Sequence, residues 1–129
     1  MTELYDTCVF IDYWKGDVSA VSLIVAAMTN PGSRYYSTLS VTELWQSTKL
    51  GRREEIEFTA LIQYFIKECP LGTIEAMKAG QMLRTLSRSM RKNLTADALI
   101  AATADSGGHI IRTRNVKDLT KFSSNVQPY

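Results

Sequence analysis

Apolar positions recur with helical spacing in four stretches of the chain. Val18 to Met28 is densely apolar and follows Gly16-Asp17, a helix-opening pair. From Glu54 to Lys67, the residues Phe58, Leu61, Ile62, Phe65 and Ile66 fall on one helical face. Ala76, Ala79, Leu83, Leu86 and Met90 do the same from Glu75 to Arg91. Ala96 to Ala104 is apolar almost all round apart from Asp97, which predicts a buried helix. Thr95 is its expected N-cap and Gly107-Gly108 its stop. Short strand patterns lie between: Leu4 to Asp6, Tyr35 to Leu39, Leu71 to Ile74, His109 to Thr113 and Asn125 to Gln127. Cys8 to Ile11 either extends the first strand or opens a helix, and periodicity does not decide. Strands alternating with helices predict one α/β domain over residues 1–129. Its expected form is three-layer, α/β/α, around a mainly parallel sheet of about five strands.

Composition adds exclusions. With 45% hydrophobic residues, the 129-residue chain can bury a core without disulfides. No apolar run reaches the roughly 18 residues that read as a membrane span. The opening Met1-Thr2-Glu3-Leu4-Tyr5-Asp6 lacks the pattern of a secretory signal. Cys8 and Cys69 have no metal or redox spacing and fit reduced thiols in a cytoplasmic protein. His109 is the one histidine, which excludes a two-histidine ribonuclease mechanism and an HExxH zinc site. Any hydrolytic chemistry must therefore rest on carboxylates.

The net charge of +2 is small but uneven. Arg84, Arg88, Arg91 and Lys92 fall near one face of the helix expected over Glu75 to Arg91, and Arg112, Arg114, Lys117 and Lys121 crowd the C-terminal segment. Both groups read either as phosphate-binding or as solvated surface.

The acids fall at particular places. Asp6 ends the first strand, Glu43 follows the second, Asp97 opens the buried helix, and Asn115 and Asp118 follow the strand His109 to Thr113. Each has a local explanation. Ser40-Val41-Thr42-Glu43 fits a capping box, Asp97 suits the positive end of a helix dipole, and Asn115 to Asp118 fits a turn into a short helix. As a set they say more. In a parallel sheet the carboxyl ends of the strands share one edge, where ligands bind. Acids at several strand-to-helix junctions converge there and repel one another. A hard divalent cation relieves that repulsion, and Mg²⁺ needs only one or two carboxylates beside its waters.

These segments resemble the motifs of PIN-domain nucleases. Asp6-Thr7-Cys8-Val9-Phe10-Ile11-Asp12 is similar to their opening motif, and Ser40-Val41-Thr42-Glu43-Leu44 to their second. Thr95 to Ala104 resembles the third and Ile111 to Leu119 the fourth. In length and motif style the chain looks like the toxin half of VapBC-type toxin–antitoxin pairs. The resemblance implies Mg²⁺- or Mn²⁺-dependent cleavage of RNA, a homodimer and a small antitoxin partner. By motif it implies that Asp6, Glu43 and Asp97 hold the metal. The fourth acidic position falls at Asn115, with Asp118 the nearest acid, and both stand as catalytic candidates. Thr7, Thr113, Arg84, Arg88 and Arg114 are the candidate substrate-binding residues. Cys8 departs from the Asn or Ser that commonly follows Asp-Thr in the family. The rival reading is a PIN-like fold without activity, serving as an RNA-binding or scaffold protein. Cys8 and Asn115 support it, and the three acids oppose it.

Overall fold

In the computed structural model, which describes residues 2–129, five short strands form one all-parallel sheet. The chain runs β1 (Glu3–Tyr5), α1 (Thr7–Trp14), α2 (Val18–Thr29), β2 (Arg34–Ser37), α3 (Thr38–Trp45) and α4 (Arg52–Tyr64). It continues through β3 (Lys67–Cys69), α5 (Thr73–Leu83), α6 (Arg88–Gly107), β4 (Ile110–Arg112), α7 (Val116–Leu119) and β5 (Val126–Gln127). The strand order is β3-β2-β1-β4-β5, so β1 is central. This is the expected three-layer α/β/α architecture.

Alternation along β1 separates the two cores. Leu4 faces one side and packs with Ala98, Ala101 and Ala102 of α6, with Ile111 and with Leu119. Tyr5 faces the other side and packs with Val9, Phe10, Leu23, Ile24, Leu44 and Phe58 of α1 to α4. A central strand buried on both faces has no polar alternation, as Leu4-Tyr5 shows. The Tyr5 hydroxyl is not left orphaned, since it donates to the Leu23 carbonyl at 2.7 Å.

Four expectations are corrected. The third strand is Lys67–Cys69, not Leu71 to Ile74, and the preceding helix ends at Tyr64. Phe65 and Ile66 continue the apolar spacing, but both of their amides donate to the Leu61 carbonyl, which closes the helix. Ile66 is then buried as the lead-in to the strand, while Ile74 is 65% exposed in the first turn of α5. Secondly, the helix expected over Glu75 to Arg91 is two helices. Arg84 ends α5, and Ser87 caps α6 by accepting from the Met90 amide.

Thirdly, Thr95 is not a cap. Its hydroxyl donates to the Arg91 carbonyl at 2.7 Å inside α6, a bond compatible with a continuing helix. Asp97 therefore sits within α6 and not at its positive end. Gly108 does stop this helix, with φ +70°, a conformation that favours glycine. Lastly, Ser37 and not Ser40 caps α3, accepting from the Leu39 amide at 3.2 Å. Ser40 and Glu43 lie inside that helix, so no capping box forms. The open choice at Cys8 to Ile11 resolves as helix, with Asp6 as N-cap accepting from the Thr7 amide.

Candidate active site

The carboxyl ends of β1, β2 and β4 open onto a cleft of about 510 Å³. Asp6, Thr7, Cys8, Glu43, Asp97, Arg114 and Asn115 are among its lining residues. Each acid arrives from a different element. Asp6 is the first residue beyond β1, Glu43 projects from α3, and Asp97 projects from α6, which packs along the sheet.

Neutral donors hold these carboxylates. Asp6 Oδ1 accepts from the Thr7 amide at 2.8 Å, and Asp6 Oδ2 accepts from the Thr113 hydroxyl at 2.7 Å. The Asn115 amide in turn donates to Thr113 Oγ1 at 2.9 Å. The Thr7 hydroxyl donates to Glu43 Oε1 at 2.6 Å. That leaves the buried Ser40 hydroxyl to donate to Thr7 Oγ1 at 2.8 Å. The Asn115 side-chain amide donates to Asp97 Oδ1 at 3.4 Å. Among the described residues, no lysine or arginine forms an ion pair with Asp6, Glu43 or Asp97.

The uncompensated charge shows in the titration of the site. Burial, with the carboxylates of Asp6, Asp118 and Glu43, pushes Asp97 up to about 6. Burial and then the Asp6 charge raise Glu43, against the pull of the Thr7 hydroxyl. The Cys8 thiol is raised by burial and then by Asp6. It lies 3.7 Å from Asp6 Oδ2 and accepts from the Arg114 amide at 3.4 Å.

Among the described residues, no three acidic, histidine or cysteine side chains close around a single point as a ready-made cage. The donor set nevertheless fits a hard cation. It offers carboxylate oxygens that repel one another, with no cation paired to them. Mg²⁺ binds through one or two carboxylates and keeps waters toward the rest.

The other predicted residues divide. Asn115 lies in the cleft beside Asp97, whereas Asp118 is outside its lining and pairs with Lys121 at 3.2 Å. Thr113 is wholly buried behind Asp6, so it cannot meet a substrate directly. Arg114 lines the cleft, but Arg84 and Arg88 do not. They are exposed on either side of the α5–α6 break, so Arg84 does not share a helical face with Arg88 and Arg91. Sequence reasoning missed Asp12, which is 3% exposed and ion-paired to Arg114. Its place one turn after Val9, on the buried side of α1, was the available signal. It also missed Tyr129, whose hydroxyl donates to Asp12.

The chain is 30% identical over 126 residues to Ribonuclease VapC10 of Mycobacterium tuberculosis, covering 98% of this chain and 92% of that one. Several solved structures share its fold. A toxin–antitoxin complex from Klebsiella pneumoniae matches with TM-score 0.71 at 23% identity, over 98% of this chain and 96% of that one. VapBC2 from Rickettsia felis, bound to a promoter DNA fragment, matches with TM-score 0.70 at 17% identity, over 100% and 99%. The family model for the PIN domain matches residues 4–120, and with that span the chain belongs to the PIN-domain family.

Proposed function

We propose that this protein is a Mg²⁺- or Mn²⁺-dependent endoribonuclease that hydrolyses RNA phosphodiester bonds as the toxin of a toxin–antitoxin pair. One observation carries the site: three carboxylates line one cleft at one sheet edge and, among the described residues, are held by neutral donors alone. The ribonuclease activity of the 30% identical relative supports the reaction. Asp6, Glu43 and Asp97 would hold the metal, and Asn115 fills the fourth position by orienting Asp97. A divalent cation bound there supplies Lewis acidity, neutralising charge that develops on the phosphodiester and acidifying the attacking water. The chain's own part is positional. Thr113 and Thr7 fix Asp6, Thr7 and Ser40 fix Glu43, and Arg114 offers charge to a substrate phosphate. Arg84 and Arg88 stand further off as weaker phosphate-binding groups.

The direct test is cleavage of an RNA mixture with Mg²⁺ or Mn²⁺, with EDTA, and by folded Asp97→Asn. Cleavage should require metal and Asp97, and full activity in EDTA would refute the mechanism.

The partners follow from the same reading. The toxin–antitoxin complexes that share this fold support a small antitoxin that covers the cleft. A homodimer acting in the cytoplasm, each chain forming a single domain, completes the proposal. Among the described residues, no helix is long and apolar enough to cross a membrane. Co-purification from the native operon should recover the antitoxin. Light scattering at micromolar concentration should report twice the chain mass, and a monomer would remove the dimer.

A further inference from the structure

We infer that Asp12 and Tyr129 are positioning residues that hold the Arg114 guanidinium at the rim of the acidic cleft as its phosphate-binding group. The inference rests on the reading of the cleft as an RNA site. Among the described residues, Arg114 is the one basic side chain lining that cleft. Three carboxylates without cationic partners stand in the same cleft, yet Arg114 is paired to none of them. Its Nη1 donates instead to Asp12 Oδ1 at 2.5 Å. Asp12 Oδ2 accepts from the Tyr129 hydroxyl at 2.6 Å. Both oxygens of this 3% exposed carboxylate are thus engaged, one by each partner.

The arginine itself is different. Its side chain is 62% exposed, and apart from Asp12 its guanidinium has no hydrogen-bond partner among the described residues. A carboxylate buried this deeply is costly unless it is paired. Here its charged partner keeps most of its donor edge open to solvent. Such an arrangement orients the arginine more than it satisfies it. A freely moving guanidinium would turn to the unpaired acids and compete with a cation for them. Asp12 holds it back, and Tyr129 fixes the carboxylate that does so. The open edge matches a phosphate, which guanidinium binds through two parallel hydrogen bonds.

The test measures binding of a fluorescently labelled single-stranded oligoribonucleotide by anisotropy, in EDTA, across a range of salt. Metal-free conditions keep the probe intact. Arg114→Ala should weaken binding about tenfold, as removing one charge-assisted hydrogen-bonding group does. It should also lower the log–log salt slope by about 0.7. Asp12→Asn and Tyr129→Phe should each reproduce part of both changes while Arg114 is present. In the Arg114→Ala background they should add nothing. Tyr129→Phe removes only a hydroxyl, so it carries the test if Asp12→Asn does not fold. Wild-type affinity and slope in Arg114→Ala would overturn the inference. So would a Tyr129→Phe protein that binds as wild type, or clamp effects that persist in full without Arg114. A wild-type protein showing the clamp effects but cutting no RNA with Mg²⁺ would refute the ribonuclease reading and leave the clamp standing.

Discussion

Two sets of carboxylates in this molecule are treated in opposite ways. On the sheet, Glu3 of β1 lies between Arg34 of β2 at 3.1 Å and Arg112 of β4 at 2.7 Å. It is mostly buried and answered twice by cations. A few residues on, Asp6 shares a cleft with Glu43 and Asp97, and among the described residues the three accept hydrogen bonds only from hydroxyls, amides and the Cys8 thiol. The first arrangement ties three strands together. The second leaves negative charge without a protein cation to neutralise it. Glu3 is marked as structural by the arginines that cancel its charge, and Asp6, Glu43 and Asp97 are set apart by neutral groups that aim them without cancelling them.

Removing a charge should therefore have opposite consequences in the two regions. The largest effect falls on catalysis. Asp97→Asn should lower RNA cleavage by about 10²–10³-fold or more, measured on folded protein at saturating Mg²⁺. Glu3→Gln should leave cleavage by the folded fraction nearly intact and lower stability. Leaving two arginines half-buried and unpaired costs about 2–3 kcal/mol, since breaking a fully buried pair costs about 3–5. Chemical denaturation of both variants, metal-free, checks the contrast. Asp97→Asn should be as stable as wild type or more so, and a marked drop there would make Asp97 a structural acid after all.

Metal should then distinguish the regions again. A ligand that binds only the folded state contributes about 2.7 kcal/mol at a hundred times its dissociation constant. Mg²⁺ or Mn²⁺ should raise the melting temperature of wild type and Glu3→Gln alike, and that of Asp97→Asn or Asp6→Asn much less. An equal rise in all four would place the metal elsewhere.

The pH dependence is a smaller effect with a definite sign. Asp97 titrates at about 6 in the fold, above its ordinary value of 3.8, so its charged form is the disfavoured one. Its neutral form favours folding fully below about 4, and that advantage is lost as pH rises through about 6. In EDTA, Asp97→Asn should gain on wild type across this window by about 1–2 kcal/mol after allowing for solvent screening. Melts of the two proteins from pH 4 to 7 measure the gap. With metal present the cation competes with the proton for this carboxylate, so activity should rise with pH in a window below that of the metal-free protein. The smallest expected effect belongs to Arg84 and Arg88. Alanine at both should lower the salt slope of RNA binding by about 0.7 for each phosphate these arginines neutralise, and an unchanged slope would make them ordinary surface.

The layered fold was legible in the sequence because its helices are long and periodic and its central strands carry their own apolar signal. What periodicity could not supply was the end of each element. Phe65 and Ile66 keep helical spacing although the Leu61 carbonyl has already closed the helix. Thr95 looks like a cap because a threonine hydroxyl serves equally well on the carbonyl four residues back. Those boundaries mattered for the site. Once Asp97 and Glu43 move inside their helices, the dipole and capping-box explanations for them disappear. Asp6, Glu43 and Asn115 were readable because they follow strands in a parallel sheet, and Asp97 because the segment Thr95 to Ala104 resembles the third PIN motif. Asp12 was not, because its importance depends on Arg114 and Tyr129, which lie 102 and 117 residues away.

The bond from Thr113 to Asp6 spans 107 residues of chain. Parallel pairings of such range form slowly, since a long loop must close before any pairing rewards it. During synthesis, β1 emerges early and gains β2 soon after, but β4 and the Thr113–Asn115 segment follow only after α6. A nascent chain that has reached Gly107 already contains all three acids, yet lacks the hydroxyl that holds Asp6 and the amide that holds Asp97. The acidic edge of this protein is thus assembled last, long after the residues that make it acidic have been added to the chain.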